Sequence, residues 1–506
     1  MVSAYPNLRR RFINTDGIIN VGKSHLLPDL LSKHPEDYVD INTHKVMERV
    51  KPWAEISSPI ARETFGIMSN VIPPAVQERW ERQRKYGFTS LQPIVIDKIL
   101  VLLADFDDKP AQIPIETIYQ RFFGDYVNSL KEYYKEISYS RYIPRGELHG
   151  WYRAPNPSTY YTDKQNGFGI YPKSAERLVE DIVNIASNDP DIDWTSFDQN
   201  DNGYVDNLFV IHSGAEAAWT GDVNDFWAHV WIIPEPKMIK GRYVWVYAMV
   251  SEYLGKPDDP IVIGGDCHEH GHELGLPDLY DYSDRSNGVG AYSLMGAGSW
   301  GNMGQTPTHL DPWSKYVLGF TDPIIDPIGT VYIDNAEQNS TNIIYTTADP
   351  KEYFIFEVRR KKLYDTYLPS EGLFIWHINE NQINNQTYNN DKACYLVGLV
   401  QADNLKDLEN RANNGDLGDS YPGISNSRSF GRFTDPSTRL CNGQMQDFLI
   451  NNISDSASTM SFESLIPGPS APMPQQRVVQ AGLSPAQAII LTGLATGTIY
   501  EISKKK

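Results

Sequence analysis

His268-Glu269-His270-Gly271-His272-Glu273-Leu274-Gly275-Leu276-Pro277-Asp278 is the stretch from which the rest of the chain is best read. On a helix, residues four apart differ by about 40° in direction, so His268 and His272 present two imidazoles on one face, close enough to share a metal ion. Glu269 sits beside them, where a carboxylate can take a proton from a metal-activated water. This spacing describes a catalytic zinc site. Gly275 can adopt φ > 0 and let the chain leave the helix sharply, and Pro277 prevents the helix from resuming. Asp278 is thereby swung back as the third ligand. A glutamate ligand from a later helix is disfavoured, because after Glu273 the next glutamate is Glu337, beyond a glycine- and proline-containing stretch. His270 lies two positions from either ligand, so it points to the other side of the helix and is read as packing or surface.

An HExxH pattern alone is a weak signal, and Gly275 and Asp278 at fixed offsets make it specific. Downstream, Gly288-Val289-Gly290-Ala291-Tyr292-Ser293-Leu294-Met295-Gly296-Ala297-Gly298-Ser299-Trp300 carries a methionine in a glycine-flanked turn. Metzincin peptidases place such a Met-turn beneath the metal, after HExxHxxGxxH. Here the last position is aspartate. That departure, together with 276–281, 293–300 and Pro307-Thr308-His309-Leu310-Asp311-Pro312-Trp313-Ser314-Lys315, resembles the immune inhibitor A family of bacterial metzincin-type metallopeptidases. The resemblance extends over about 95–463, with 99–108 and 133–139 similar to the start of the catalytic domain and 371–378 and 415–423 to a second domain. It implies a secreted zinc endopeptidase acting on protein or peptide substrates, with one catalytic Zn2+, one or more structural Ca2+ ions and Met295 as the structural floor of the site.

A second metal signature runs from Asp198 to Asp206. Asp198, Asn200, Asn202 and Asp206 stand at relative positions 1, 3, 5 and 9, with Gly203 at 6 and the Tyr204 carbonyl at 7, as in the first part of an EF-hand loop. Position 12 is Phe209, so the loop is expected to open into a strand and to complete its ligands from elsewhere or from water. An Asx-rich turn without metal is the alternative. Asp416 and Asp419, in a glycine-punctuated loop, form a further calcium candidate raised by the resemblance. His212, His229, His309 and His377 each stand alone among apolar or aromatic neighbours and are read as core or hydrogen-bonded; His309 is also placed where it could line the cleft.

The expected fold is α+β: a metzincin-like zinc peptidase domain over 93–320, then a β-sandwich-like domain over 321–465. Strands are expected at 94–106 and 208–212, helices at 114–137 and 173–186, and short strands at 331–333, 342–346, 353–358, 373–377, 395–400 and 460–462. Residues 1–92, interrupted by prolines, read as an N-terminal pro-segment or wrapping arm. No apolar signal region follows the basic residues of 9–11, which is at odds with the secretion that the resemblance implies. Residues 466–506 read as a Pro-rich linker and an apolar tail. The uncharged run 478–500 is too diluted to span a membrane comfortably, so a membrane is an unlikely partner and docking onto a partner protein, or onto the protein itself, is expected.

A formal net charge of −19 argues against nucleic acid as a partner, since phosphate binding needs a basic surface. Cys267, Cys394 and Cys441 permit at most one disulfide, and Cys267 is read as buried packing. Without a cysteine in the first 90 residues, cysteine-switch latency is excluded. Two function classes stand: a zinc endopeptidase with Glu269 as general base, or a catalytically silent metallopeptidase-fold protein used for binding or delivered as a structural component.

Overall fold

The structure, a computed structural model, describes residues 97–465 apart from 126–127, 200, 202, 283–284 and 385–387. It also describes the backbone of three short strands, Arg11–Asn14, Gly17–Asn20 and Val39–Asp40, which pair antiparallel with Arg11–Asn14 at the centre. The chain divides into two units, Met1–Ile466 and Pro467–Lys506. The second unit, and with it the expected tail, lies outside the described residues, as does the rest of 1–92.

The first part of the described chain is built on a five-stranded sheet. Its strands are β1 (Lys98–Asp105), β2 (Arg145–Arg153), β3 (Leu208–Ala215), β4 (His229–Ile239) and β5 (Arg242–Tyr253), in the order β2-β1-β3-β5-β4. All neighbours are parallel except the β4–β5 hairpin. That hairpin turns through Lys240 and Gly241, both with positive φ, as a two-residue turn requires. β1 and β3 are buried along nearly their whole length, which explains why they read as unbroken apolar runs without alternation. The expected helix over 114–137 is two helices, α1 (Ile115–Phe123) and α2 (Leu130–Ile137). The second begins afresh at Ser129, whose hydroxyl accepts the Glu132 N–H as an N-cap. Helix α3 (Ala175–Ala186) packs on β2 and β4, and α4 (Gly264–Glu273), which carries the histidines, packs on β4, β5 and α2.

Among the described residues after the short helix α5 (Pro312–Val317), the regular structure is mostly strand. Strands β6 (Ile324–Ile325), β8 (Ile343–Tyr345), β9 (Glu352–Arg359), β10 (Gly372–Asn379) and β11 (Val397–Leu399) make one sheet, ordered β11-β10-β9-β8-β6. β7 (Gly329–Asp334), β14 (Thr459–Leu465), β13 (Leu449–Asn451) and β12 (Phe430–Gly431) make the other, in that order. Strand side chains alternate between faces, and the five-stranded sheet uses both. Phe354, Phe356 and Val358 share a core with Phe430, Ile450 and Phe462 of the four-stranded sheet. Tyr353, Ile355, Phe374 and Trp376 point the other way, into the core that contains Met295 and Trp313. The result is a mixed α/β molecule with several sheets and few helices. Cys394 is bonded to Cys441, and Cys267 is a buried free thiol.

Candidate metal centre and catalytic cleft

Three features of the sequence bring the donor set together. Helix α4 holds His268 and His272 one turn apart, with ring centroids 4.7 Å apart and planes at 90°. Gly275 takes φ +94°, and the chain bends there so that the Leu276 N–H returns to the Gly271 carbonyl at 3.0 Å. Asp278 then lies with Oδ1 3.0 Å from His268 Nε2 and 3.3 Å from His272 Nε2. Donors on a tetrahedral zinc with bonds of about 2.0–2.1 Å stand about 3.3 Å apart. All three residues are buried.

The backbone sets which ring nitrogen faces Asp278. His268 Nδ1 donates to the Leu294 carbonyl at 2.9 Å, and His272 Nδ1 donates to the Leu276 carbonyl at 2.8 Å. A carbonyl only accepts, so each Nδ1 carries the hydrogen and each Nε2 is turned toward Asp278. The other carboxylate oxygen of Asp278, Oδ2, accepts from Tyr282 Oη at 2.7 Å. Burial opposes ionisation of Asp278, yet His272 and His268 together hold its carboxyl far below the usual range; burial likewise opposes charge on His272, and Asp278 raises it. An arrangement that draws protons onto imidazoles in this way also suits a divalent cation.

Met295 is fully buried, and the turn that carries it lies against α4. A Cβ at Gly271 would stand 2.6 Å from Met295 Sδ, so the glycine between the two histidines leaves room for that sulfur. Leu294, one residue earlier, supplies the carbonyl that orients His268, and the Met295 carbonyl accepts from the Leu279 N–H at 2.9 Å. Thus the turn fixes both His268 and the chain beside Asp278. Glu269 lines the same cavity as His268, and burial raises its carboxyl to about 8, with His268 opposing and Asp278 adding to the rise.

His270 faces away from this set, buried between Tyr142 Oη at 2.6 Å and Glu273 Oε2 at 2.9 Å. His309 does not line the cleft. It is fully buried, with Nε2 2.9 Å from Glu136 and Nδ1 2.9 Å from Lys315 Nζ, in a charged cluster that also contains Asp365 and Arg359. His212, His229 and His377 are held by hydrogen bonds to Ser213, Trp227 and Tyr247, and Glu352 respectively. Glu352 and His377 lie near the Cys441 sulfur, which is committed to a disulfide and offers no thiolate.

In the second metal signature, Asn200 and Asn202 lie outside the described residues. Asp198 and Asp206 close the loop from opposite ends: Asp198 Oδ2 accepts from the Gly203 N–H at 2.9 Å, and Asp206 Oδ2 from the Gln199 N–H at 2.6 Å. Asp198 also pairs with Arg242 at 2.6 Å. Tyr204 bridges to Tyr243, and the strand expected after the loop is β3. Asp416 and Asp419 share a tight loop, where Asp419 Oδ2 accepts from the Asp416 N–H at 2.7 Å and from Tyr292 Oη at 2.9 Å. Burial, together with the charges of Asp416 and Asp403, raises the Asp419 carboxyl to about 7.

Sequence reasoning missed Tyr282 and the buried pair Arg121–Asp266, which ties α1 to the first turn of α4. Tyr282 stands four residues past Asp278, but nothing in its type or spacing marks it. It also missed Arg359, which reaches from β9 to pair with Asp365 and donate to the Tyr292 carbonyl just before the Met295 turn.

Residues 112–319 match the family described as immune inhibitor A peptidase M6, catalytic domain. The chain is 31% identical over 269 residues to Immune inhibitor A of Bacillus thuringiensis subsp. alesti, covering 43% of this chain and 39% of that protein. It is 28% identical over 346 residues to Pre-pro-metalloprotease PrtV of Vibrio cholerae serotype O1 (strain M66-2), covering 56% of this chain and 36% of that protein. The chain therefore aligns with about two fifths or less of the length of these relatives. The His268, His272 and Asp278 cluster, the bend at Gly275 and the buried Met295 turn all fall inside the matched region, over which the chain is similar to the immune inhibitor A-like metallopeptidases.

Proposed function

We propose that the protein is a zinc-dependent endopeptidase in which His268, His272 and Asp278 hold one zinc ion and Glu269 is the general base. The observation that carries this reading is the converging set of two Nε2 atoms and the Asp278 carboxylate, oriented by the Leu294 and Leu276 carbonyls, with Glu269 on the same cavity. Zinc, when bound, supplies Lewis acidity toward a scissile carbonyl and makes water acidic enough to react near neutral pH. Glu269 takes the proton of the attacking water and returns it to the leaving amine. Tyr282 holds Asp278 in its ligand orientation. The intact Glu269 weighs against a silent binding protein.

The reading is tested by Glu269→Ala. Cleavage of denatured casein falls by several orders of magnitude while bound zinc stays at the wild-type level; wild-type turnover in this variant removes Glu269 from the mechanism. A metzincin-like lobe over 93–320 is supported by the parallel sheet with one antiparallel edge strand and by the Met295 turn beneath α4. A β-sandwich-like domain over 321–465 is supported by two sheets sharing one core. Residues 1–92 are proposed as a pro-segment or arm, 466–506 as linker and docking tail, and the protein as an exported one. Structural calcium is proposed at the Asp198–Asp206 loop and at Asp416 and Asp419. A calcium-dependent rise in melting temperature that disappears in Asp206→Ala or Asp419→Ala supports each site, and an unchanged dependence removes it.

A further inference from the structure

The proposed chemistry leaves unused the pocket that opens beside His268 and Glu269. Its walls are mostly apolar, made by Trp227, Val250, Leu254, Val262 and Trp300. The wall residue Trp300 is stacked by Trp219, 48% exposed, with ring centroids 6.4 Å apart.

Charged groups are set into these apolar walls, and they do not cancel. Arg121 is already satisfied: it makes a two-pronged pair with Asp266, and its Nη1 donates to the Ser251 and Glu252 carbonyls at 2.9 and 3.0 Å. Glu216 is different. Its Oε1 accepts from the Ala218 N–H at 3.1 Å and the Ala228 N–H at 3.2 Å, and Ser251 supplies a side-chain hydrogen bond. Among the described residues it forms no ion pair. Capping the short helix Ala217–Thr220 explains one of those bonds, but a capping residue has no need to face a cavity beside a catalytic base. A carboxylate offers about four acceptor positions, so Glu216 retains capacity for a further donor. With Arg121 and Asp266 balanced against each other, Glu216 is the wall carboxyl that lacks a paired cation; burial raises it to about 7, with the Ala218 and Ala228 N–H groups opposing, so a cation brought beside it favours its ionised form.

We infer that this pocket receives a substrate side chain flanking the scissile bond and that Glu216 makes it select a long apolar stem ending in a cation, that is, lysine or arginine. The stem lies along the tryptophan-lined walls while the cationic end reaches Glu216, as such amphipathic side chains do elsewhere. This rests on the endopeptidase reading of His268, Glu269, His272 and Asp278.

The test uses the full zinc-loaded chain and fluorogenic peptides that carry Lys, Arg, Leu, Phe or Glu on either side of a single bond. At one of the two positions, kcat/KM for Lys or Arg exceeds that for Leu or Phe on the order of 10- to 100-fold, the value of a hydrogen bond to a charged group, and Glu is slowest. Glu216→Gln keeps an oxygen for the two backbone N–H groups and removes the charge, so the Lys-to-Leu ratio falls to within about threefold. Zinc content and melting temperature report whether that variant is folded. If it is not, sequencing the sites that wild type cleaves in denatured casein decides the matter, with Lys or Arg enriched beside the cut. Equal or better cleavage beside Leu or Phe at both positions overturns the inference, as does an unchanged ratio in folded Glu216→Gln. Failure of the zinc-loaded chain to cleave any peptide or casein overturns the endopeptidase reading itself, and this inference with it.

Discussion

Gly271→Ala tests whether the Met295 turn sets the metal site. The added Cβ would lie 2.6 Å from Met295 Sδ, 3.4 Å from Met295 Cε and 3.5 Å from Tyr134 Oη. By helix propensity alone, alanine here would gain about 0.5–1 kcal/mol. Overpacking of a buried site costs about 1–3 kcal/mol, and Met295 has no exposed surface into which to move. The net expectation is a loss of about 1–2 kcal/mol, the overpacking cost less the propensity gain. Displacing the turn also lengthens the bond from His268 Nδ1 to the Leu294 carbonyl, and disturbing such an outer-shell partner lowers metal affinity about 10- to 100-fold. Thermal unfolding of the metal-free protein measures the first effect, and competition with a zinc chelator the second. Met295→Ala in the same background opens space for the new methyl group, so the double variant regains part of the loss and the two substitutions are non-additive. A Gly271→Ala protein that melts at or above wild type and binds zinc equally well refutes the reasoning, because propensity would then be the whole effect.

Other expectations follow from the same contacts. Tyr282→Phe removes the donor to Asp278 Oδ2 and lowers zinc affinity about tenfold with little change in the stability of the metal-free protein, read by chelator competition and thermal melting. Arg359→Met leaves Asp365 buried without its guanidinium and frees the Tyr292 carbonyl, so urea unfolding shows a loss of about 3–5 kcal/mol. His212, buried on β3, has its pKa lowered to about 3 by burial, with a bond to the Ser213 carbonyl opposing. Its unfolded pKa is near 6.5, so the unfolded chain takes up this proton first as pH falls. Its contribution is fully present above about pH 6.5 and declines by a few kcal/mol toward pH 3. Chelator-treated His212→Asn has a shallower stability slope across that window, and an unchanged slope excludes His212 as its source.

The donor set was legible before any coordinates because its information is local. Two histidines one helical turn apart, a glycine able to take positive φ and an aspartate three residues later lie within eleven consecutive positions. The strands after α5 were legible for a similar reason, as short apolar runs between polar turns. The β4–β5 hairpin was not, and the cause is chemical: β4 contains Pro234 and Pro236, which ordinarily exclude a strand. It is tolerated here as an edge strand, with the pairing register shifting between Ile232 and Lys237. β2 escaped notice because Gly146, Gly150 and several polar residues interrupt it on the opposite, half-buried edge. His309 is core and hydrogen-bonded, as its apolar setting suggested, and only the added idea that it lines the cleft fails. Its nearness in sequence to the Met295 turn suggested the cleft, whereas Glu136 and Asp365, 173 and 56 residues away, fix it in the core.

The most direct test of the account is the zinc content and affinity of Asp278→Ala beside wild type and Glu269→Ala, measured by elemental analysis after dialysis against a graded chelator. The account expects one zinc per chain in wild type and Glu269→Ala, and loss of most of the metal from Asp278→Ala in a protein that remains folded. Full zinc loading of Asp278→Ala at wild-type affinity would show that the third ligand lies elsewhere and would contradict the central claim.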